Sequence, residues 1–244
     1  LKKGKVISVD DLKSRFSIEP VTEKFYEEYE KLFDKFNDYS YENHIKLPHL
    51  TEEYKEDKDK KKAIRDFNKK LLGKIVFIYF LQKRIFLNTK NNNLNQSINY
   101  IYDLFKECKE SKGLFYNEYL EPLFYEVLNT PKDKRNKKYT EKFNDIPFLN
   151  GGLFEKEYNE IIYYPNDLFE NVFDLFNQYN FTIDENDTED VEIAIDPEML
   201  GHIFENLLED NKEKGAFYTP KVIVDYMTKT SLIEYLKNNF EERH

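Results

Sequence analysis

The sequence predicts a mainly α, multi-helix domain with one small β-hairpin. Three observations carry that prediction. Seven glycines and eight prolines among 244 residues are about half the usual share, which suits long helices joined by few tight turns. The 21 Phe and 19 Tyr supply enough apolar surface to offset chain entropy, excluding a wholly disordered polypeptide. Apolar residues also recur every three or four positions along most of the chain, and change to alternation near residues 181–195.

Val21 to Phe36 reads as the first helix, with Phe25, Tyr29, Leu32, Phe33 and Phe36 on one face. Pro20 precedes it, Thr22 can cap it, and Glu23 sits in its first turn. Glu42 to Lys62 lacks periodicity and is nearly all charge after Glu52, the pattern of a loop. Ile64 to Leu87 is apolar on almost every side from Lys74 to Leu81, as a central buried helix would be. Asn88 to Asn93 breaks the pattern, and Leu94 to Phe105 resumes it with Ile98, Ile101, Tyr102 and Phe105. Phe115 to Leu128 is a further aromatic helix.

Thr130 to Lys142 reads as a basic loop, and Ile146 to Phe154 as a compact turn built on Gly151 and Gly152. Pro165 to Phe176 forms a short helix with Leu168, Phe169, Val172, Phe173 and Phe176 inward. Phe181-Thr182-Ile183 and Val191 to Ile195 are the two predicted strands, joined by an acidic turn as a hairpin. Asp196 and Pro197 open a helix to about Leu208, and Thr219-Pro220 opens the last one, through Leu236. The expected domains are residues 1–178, all helical, and 179–244, the hairpin with its following helices.

Charge is unevenly placed. The chain carries −10 overall, and Asp184 to Glu213, with twelve acids and one base, carries −11 of it. That leaves about +1 for everything else, so the net acidity does not speak against an anionic partner for the whole surface. Lys132 to Lys142 holds six bases against two acids. Two readings stand for Lys132, Lys134, Arg135, Lys137 and Lys138: a solvated face, or contact with nucleic-acid phosphates.

Several chemistries are unsupported. The longest apolar run, Ile75 to Leu81, has seven residues, about a third of a membrane-spanning helix. A single cysteine, Cys108, excludes a disulfide framework and a Cys-rich zinc site. His44, His49, His202 and His244 lack metal-ligand spacing, so no metal site is expected. Glu192-Ile193-Ala194 lacks the lysine of a restriction-type nuclease. No Gly-x-Gly loop occurs, and no complete catalytic set is present. The setting expected is reduced and cytoplasmic. The absence of an initial Met points to an excised piece of a longer chain.

The most distinctive stretch is Gly215-Ala216-Phe217-Tyr218-Thr219-Pro220, followed by Ile223-Val224-Asp225-Tyr226-Met227. Thr219 caps a helix whose first amides suit a carboxylate or phosphate. Phe217 and Tyr218 could cover a ring, but the residues alone favour the other reading, an ordinary capped helix whose aromatics fill the core.

At these residues the chain resembles the adenine-N6 DNA methyltransferases of large type II (type IIG-like) restriction–modification enzymes. The resemblance extends to Leu71–Lys83, to Phe115–Phe124, to Ile146–Phe154 and to Ile195–Leu207, in the family's order, spanning about residues 15–237. It implies a helical connector followed by the opening of a methyltransferase domain. It also implies that Phe217, Tyr218 and Thr219 form one wall of an S-adenosylmethionine site. The family's glycine-rich cofactor loop and its Asn-Pro-Pro-Tyr motif have no counterpart before His244. The chain alone is therefore expected to bind the cofactor weakly or not at all and to transfer no methyl group. The implied partners are double-stranded DNA and the remaining methyltransferase and nuclease domains of one polypeptide. A helical protein-interaction scaffold without enzymatic activity is the alternative.

Overall fold

A computed structural model describes residues 18–44, 54–83, 99–143, 146–149, 152–156, 162–181, 194–195, 201, 219 and 221–241. The chain divides into two compact units, Leu1–Asp196 and Pro197–His244.

The first unit is helical. Helix α1 spans Ile18–His44, longer at both ends than its apolar spacing suggests. The five predicted inward residues are all buried. Helix α2 spans Asp57–Lys83, so the charged residues from Asp57 to Lys62 are its first turns rather than loop. Asp57 and Asp59 lie in the first turn, where carboxylates favour the positive end of the helix dipole. Periodicity misses such a turn because its residues face water on every side. Further along, Ile64, Leu72, Ile75, Val76 and Ile78 are fully buried, and α2 packs against α1.

Helix α3, Tyr100–Ser111, also packs on α2. Gln82 at the end of α2 caps it: its Oε1 accepts from the amide of Ile101 at 3.1 Å. The expected helix start at Leu94 lies outside the described residues. Lys112 closes α3 in the left-handed conformation at φ 56°, which lets the Gly113 amide donate to the Cys108 carbonyl.

The segment predicted as the Phe115–Leu128 helix is helical, but its hydrogen bonds are of π type, over Tyr116–Leu120 and Pro122–Leu128. Pro122 supplies the physical reason. It has no amide hydrogen, and its ring crowds the carbonyl one turn back, which a widened turn accommodates. The Glu121 amide accordingly donates to Tyr116, and the Asn129 amide to Phe124, each five residues back. A 3-10 turn at Lys132–Lys134 and helix α4, Lys137–Phe143, occupy the predicted basic loop. A second 3-10 turn covers Gly152–Phe154, and helix α5 covers Asn166–Phe176 behind Pro165.

The hairpin is corrected. Two-residue strands β1, Asn180–Phe181, and β2, Ala194–Ile195, pair in parallel, Asn180 with Ala194 and Phe181 with Ile195. A hairpin is antiparallel by construction. Alternating apolar residues report extended chain but carry no information on its direction. The helix expected from Pro197 to Leu208 lies, apart from helical Gly201, outside the described residues.

Aromatic rings knit the first unit together. Phe176 on α5 stacks on Tyr29, meets Tyr79 edge-on at 4.9 Å and reaches Phe25 and Phe181. Phe173 lies 4.8 Å from Phe105 and 5.6 Å from Phe115. Each fully buried ring is worth about 2–3 kcal/mol, and each favourable pair adds about 1 kcal/mol.

In the second unit, helix α6 spans Lys221–Glu241. Its side chains from Ile223 to Asn239 are exposed, among them Tyr226 at 69%, Met227 at 58% and Tyr235 at 64%.

Candidate nucleic-acid interface

The basic stretch after the π-helical segment contains two kinds of residue. Lys132, Lys134, Lys137 and Lys138 are exposed, whereas Arg135, in their midst, is buried at 7% exposure. Its guanidinium turns inward. Nε donates to the Thr130 carbonyl at 3.0 Å, Nη2 to Val127 at 2.8 Å, and Nη1 to Ile146 at 2.8 Å and Phe143 at 3.4 Å. The planar fork thus satisfies carbonyls from the end of the π-helical segment, the end of α4 and the chain beyond. Burial pulls its pKa down from the ordinary arginine value, yet an arginine stays protonated in proteins.

The four lysines are positioned otherwise. Among the described residues none of them lies within ion-pair distance of a carboxylate. Exposed lysines elsewhere in this unit do: Lys106 with Asp103 at 2.8 Å, Lys109 with Glu170 at 2.6 Å and Lys156 with Glu121 at 2.8 Å. Arg135 therefore anchors a loop whose remaining charges point to solvent.

Three segments that the sequence singles out separately meet beside this loop. Phe154 of the Gly152 turn packs on Phe77 of α2 at 6.1 Å and on Phe124 of the π-helical segment at 5.6 Å. The Leu149 amide donates to the Leu128 carbonyl at 2.8 Å. Buried Lys74 donates to the Tyr125 hydroxyl at 3.2 Å and lies 4.8 Å from that ring. Burial, above all, raises the pKa of the neighbouring Tyr116 hydroxyl.

Sequence reasoning misses a second polar cluster, because its members stand far apart in the chain. The Asn68 amide donates to Asn37 Oδ1 at 2.9 Å. Asn68 Oδ1 accepts from Tyr164 at 2.6 Å and from Ser40 at 3.4 Å. All four are buried. Nearby, His44 Nε2 lies 2.9 Å from the Tyr163 carbonyl, and burial lowers the pKa of its imidazole. Nothing in single-residue spacing marks these residues as partners.

Of the expected cofactor residues, Thr219 is exposed and stands just before α6; Phe217 and Tyr218 lie outside the described residues. Among those residues no group of three His, Cys, Asp or Glu side chains could hold a metal. No helix among them is long and apolar enough to cross a membrane.

These features define a helical domain that presents exposed lysines, none ion-paired among the described residues, on a 3-10 turn and the start of α4, with Arg135 anchored inward between them. Residues 29–164 match a family described as a domain of unknown function (DUF7814), and the chain belongs to that family. A curated relative from Methanocaldococcus jannaschii, a putative type II restriction enzyme and methyltransferase, is 31% identical over 92% of this chain. The match covers 20% of that relative, so the chain spans about a fifth of its length. No solved structure matches the chain. The relative's name agrees with the restriction–modification affiliation that the motifs imply.

Proposed function

We propose that these 244 residues are the helical connector and the opening segment of an adenine-N6 DNA methyltransferase, borne on a type II restriction–modification polypeptide. The observation that carries this reading is the match to the archaeal relative, which runs through both units and bears a restriction-and-methylation name. The packing of Phe154 on Phe77 and Phe124 supports it, since three motifs spread over 84 residues then meet at one place in the core.

In this reading the first unit orients the transferase relative to its neighbours. Lys132, Lys134, Lys137 and Lys138 meet the phosphates of double-stranded DNA without reading sequence, and Arg135 holds their loop. Thr219, with Phe217 and Tyr218, forms one wall for S-adenosylmethionine. An exposed threonine ahead of a 21-residue helix fits the carboxylate end of that cofactor, because the first-turn amides attract anions. When bound, the cofactor supplies the methyl group; this wall binds and orients it. The remaining walls and the groups that hold the target adenine belong to the rest of the polypeptide. The exposed apolar side chains of α6 are then covered by that remainder.

Two measurements on the chain alone test this. Calorimetry with S-adenosylmethionine should show no micromolar affinity, and labelled cofactor with adenine-containing duplex should give no methylated DNA above a protein-free control. Either signal refutes the division of labour. The second reading, a protein-interaction scaffold, is favoured by one observation, the exposure of Tyr226, Met227 and Tyr235 on α6. It gains if α6 captures a separate protein rather than the remainder of its own polypeptide.

A further inference from the structure

We infer that Arg135 ties the lysine loop and the Gly152 turn into one binding surface for the sugar–phosphate backbone of duplex DNA, with Gly152 its point of closest approach. The inference rests on the reading that the lysines meet DNA, and extends it to a segment that basic charge does not mark.

Geometry joins the two segments. Arg135 bonds the Val127 and Ile146 carbonyls, both at 2.8 Å, and the Leu149 amide bonds Leu128 at 2.8 Å. Gly152 follows three residues later, within about 10 Å of chain. The turn is fixed from below, since Phe154 is 1% exposed between the rings of Phe77 and Phe124. Gly152 itself is exposed, a Cβ there would meet nothing within 4 Å, and its φ lies outside the left-handed range. Neither packing nor conformation within the described structure calls for glycine at that point. A position without a side chain on an exposed turn anchored by Phe154 suits a neighbour that comes up against the main chain.

Charge identifies the neighbour. Lys132, Lys134, Lys137 and Lys138, none of them ion-paired among the described residues, follow the end of the π-helical segment at Leu128, and together they suit a polyanion. Lys156 is held by Glu121 at 2.8 Å and is not needed as a ligand.

The test is fluorescence anisotropy of a labelled duplex of about two helical turns with the full chain, titrated across salt concentrations. The chain as it stands should bind, with the logarithm of affinity falling linearly against the logarithm of salt. Replacing Lys132, Lys134, Lys137 and Lys138 together by Ala should lower that slope by about 3–4. Gly152→Val should weaken binding about tenfold while leaving the salt slope and the thermal unfolding unchanged. Gly152→Ala, a smaller intrusion, should weaken it about threefold. Unaltered affinity in both Gly152 variants, with the lysine variant impaired, overturns the Gly152 surface alone. No binding by the parent chain at low salt, or full binding by the lysine variant, overturns the DNA reading and this inference with it. If the Gly152 variants keep DNA but lose the remainder of the polypeptide, a protein occupies the turn and the inference is wrong.

Discussion

Arg135 shows how far a residue's role can depart from its company. In the sequence it stands among lysines and reads as one more phosphate ligand. In the fold its donors are spent on the Thr130, Val127, Phe143 and Ile146 carbonyls, and no spacing rule announces that. Hydrogen bonds from a charged donor contribute about 1.5–3 kcal/mol each, and orphaned buried carbonyls add to the loss. Arg135→Gln should therefore cost about 3 kcal/mol of stability, read as a lower denaturant midpoint at unchanged slope; a loss below about 0.5 kcal/mol would show the clamp to be idle. His44 gives a pH-dependent counterpart. Burial holds its folded pKa below the ordinary 6.5, so below that pH the unfolded chain binds the proton more readily. Stability is complete above about pH 6.5 and falls as the pH drops toward the folded value. Replacing His44 by Leu should flatten that part of the stability curve, and an unchanged curve would assign the acid sensitivity elsewhere.

Among elements, the apolar faces were legible and the connections were not. Phe25, Tyr29, Leu32, Phe33 and Phe36 occupy the core as their spacing predicts, because a helix buries one stripe whatever lies opposite. The start of α2 escaped prediction because its first turns are solvated all round. The strand direction escaped because alternation is blind to it. The π-type bonding was marked only by Pro122 inside an otherwise regular pattern. The Asn37–Ser40–Asn68–Tyr164 cluster links α1 to α2 through buried hydrogen bonds that a shift in register would break. Asn68→Leu should cost about 2 kcal/mol, since it leaves the buried Asn37 Oδ1 without its donor and the Tyr164 hydroxyl with only the 3.3 Å contact to Ser40. Thermal unfolding with circular dichroism reads this directly, and a midpoint equal to that of the parent would deny the cluster its role.

For the whole molecule, the candidate site was legible in outline. The basic stretch and the Thr219 cap stand out in the sequence, whereas the sorting of Arg135 from the lysines and its bond to the Ile146 carbonyl ahead of the Gly152 turn needed three dimensions. The net charge of −10 gives no guide to partners, because exposed cations lie on the first unit while most of the acidity belongs to residues 184–213. The central claim is that connector and cofactor wall are here and the transferring machinery is in the rest of one polypeptide. It is tested most directly by labelled methyl transfer to duplex DNA, followed by nucleoside analysis, for this chain and for the polypeptide that contains it. The account predicts N6-methyladenine from the complete polypeptide and no transfer from the 244 residues alone. Methylated adenine formed by the chain alone, or a complete polypeptide that methylates only cytosine or nothing, would contradict it.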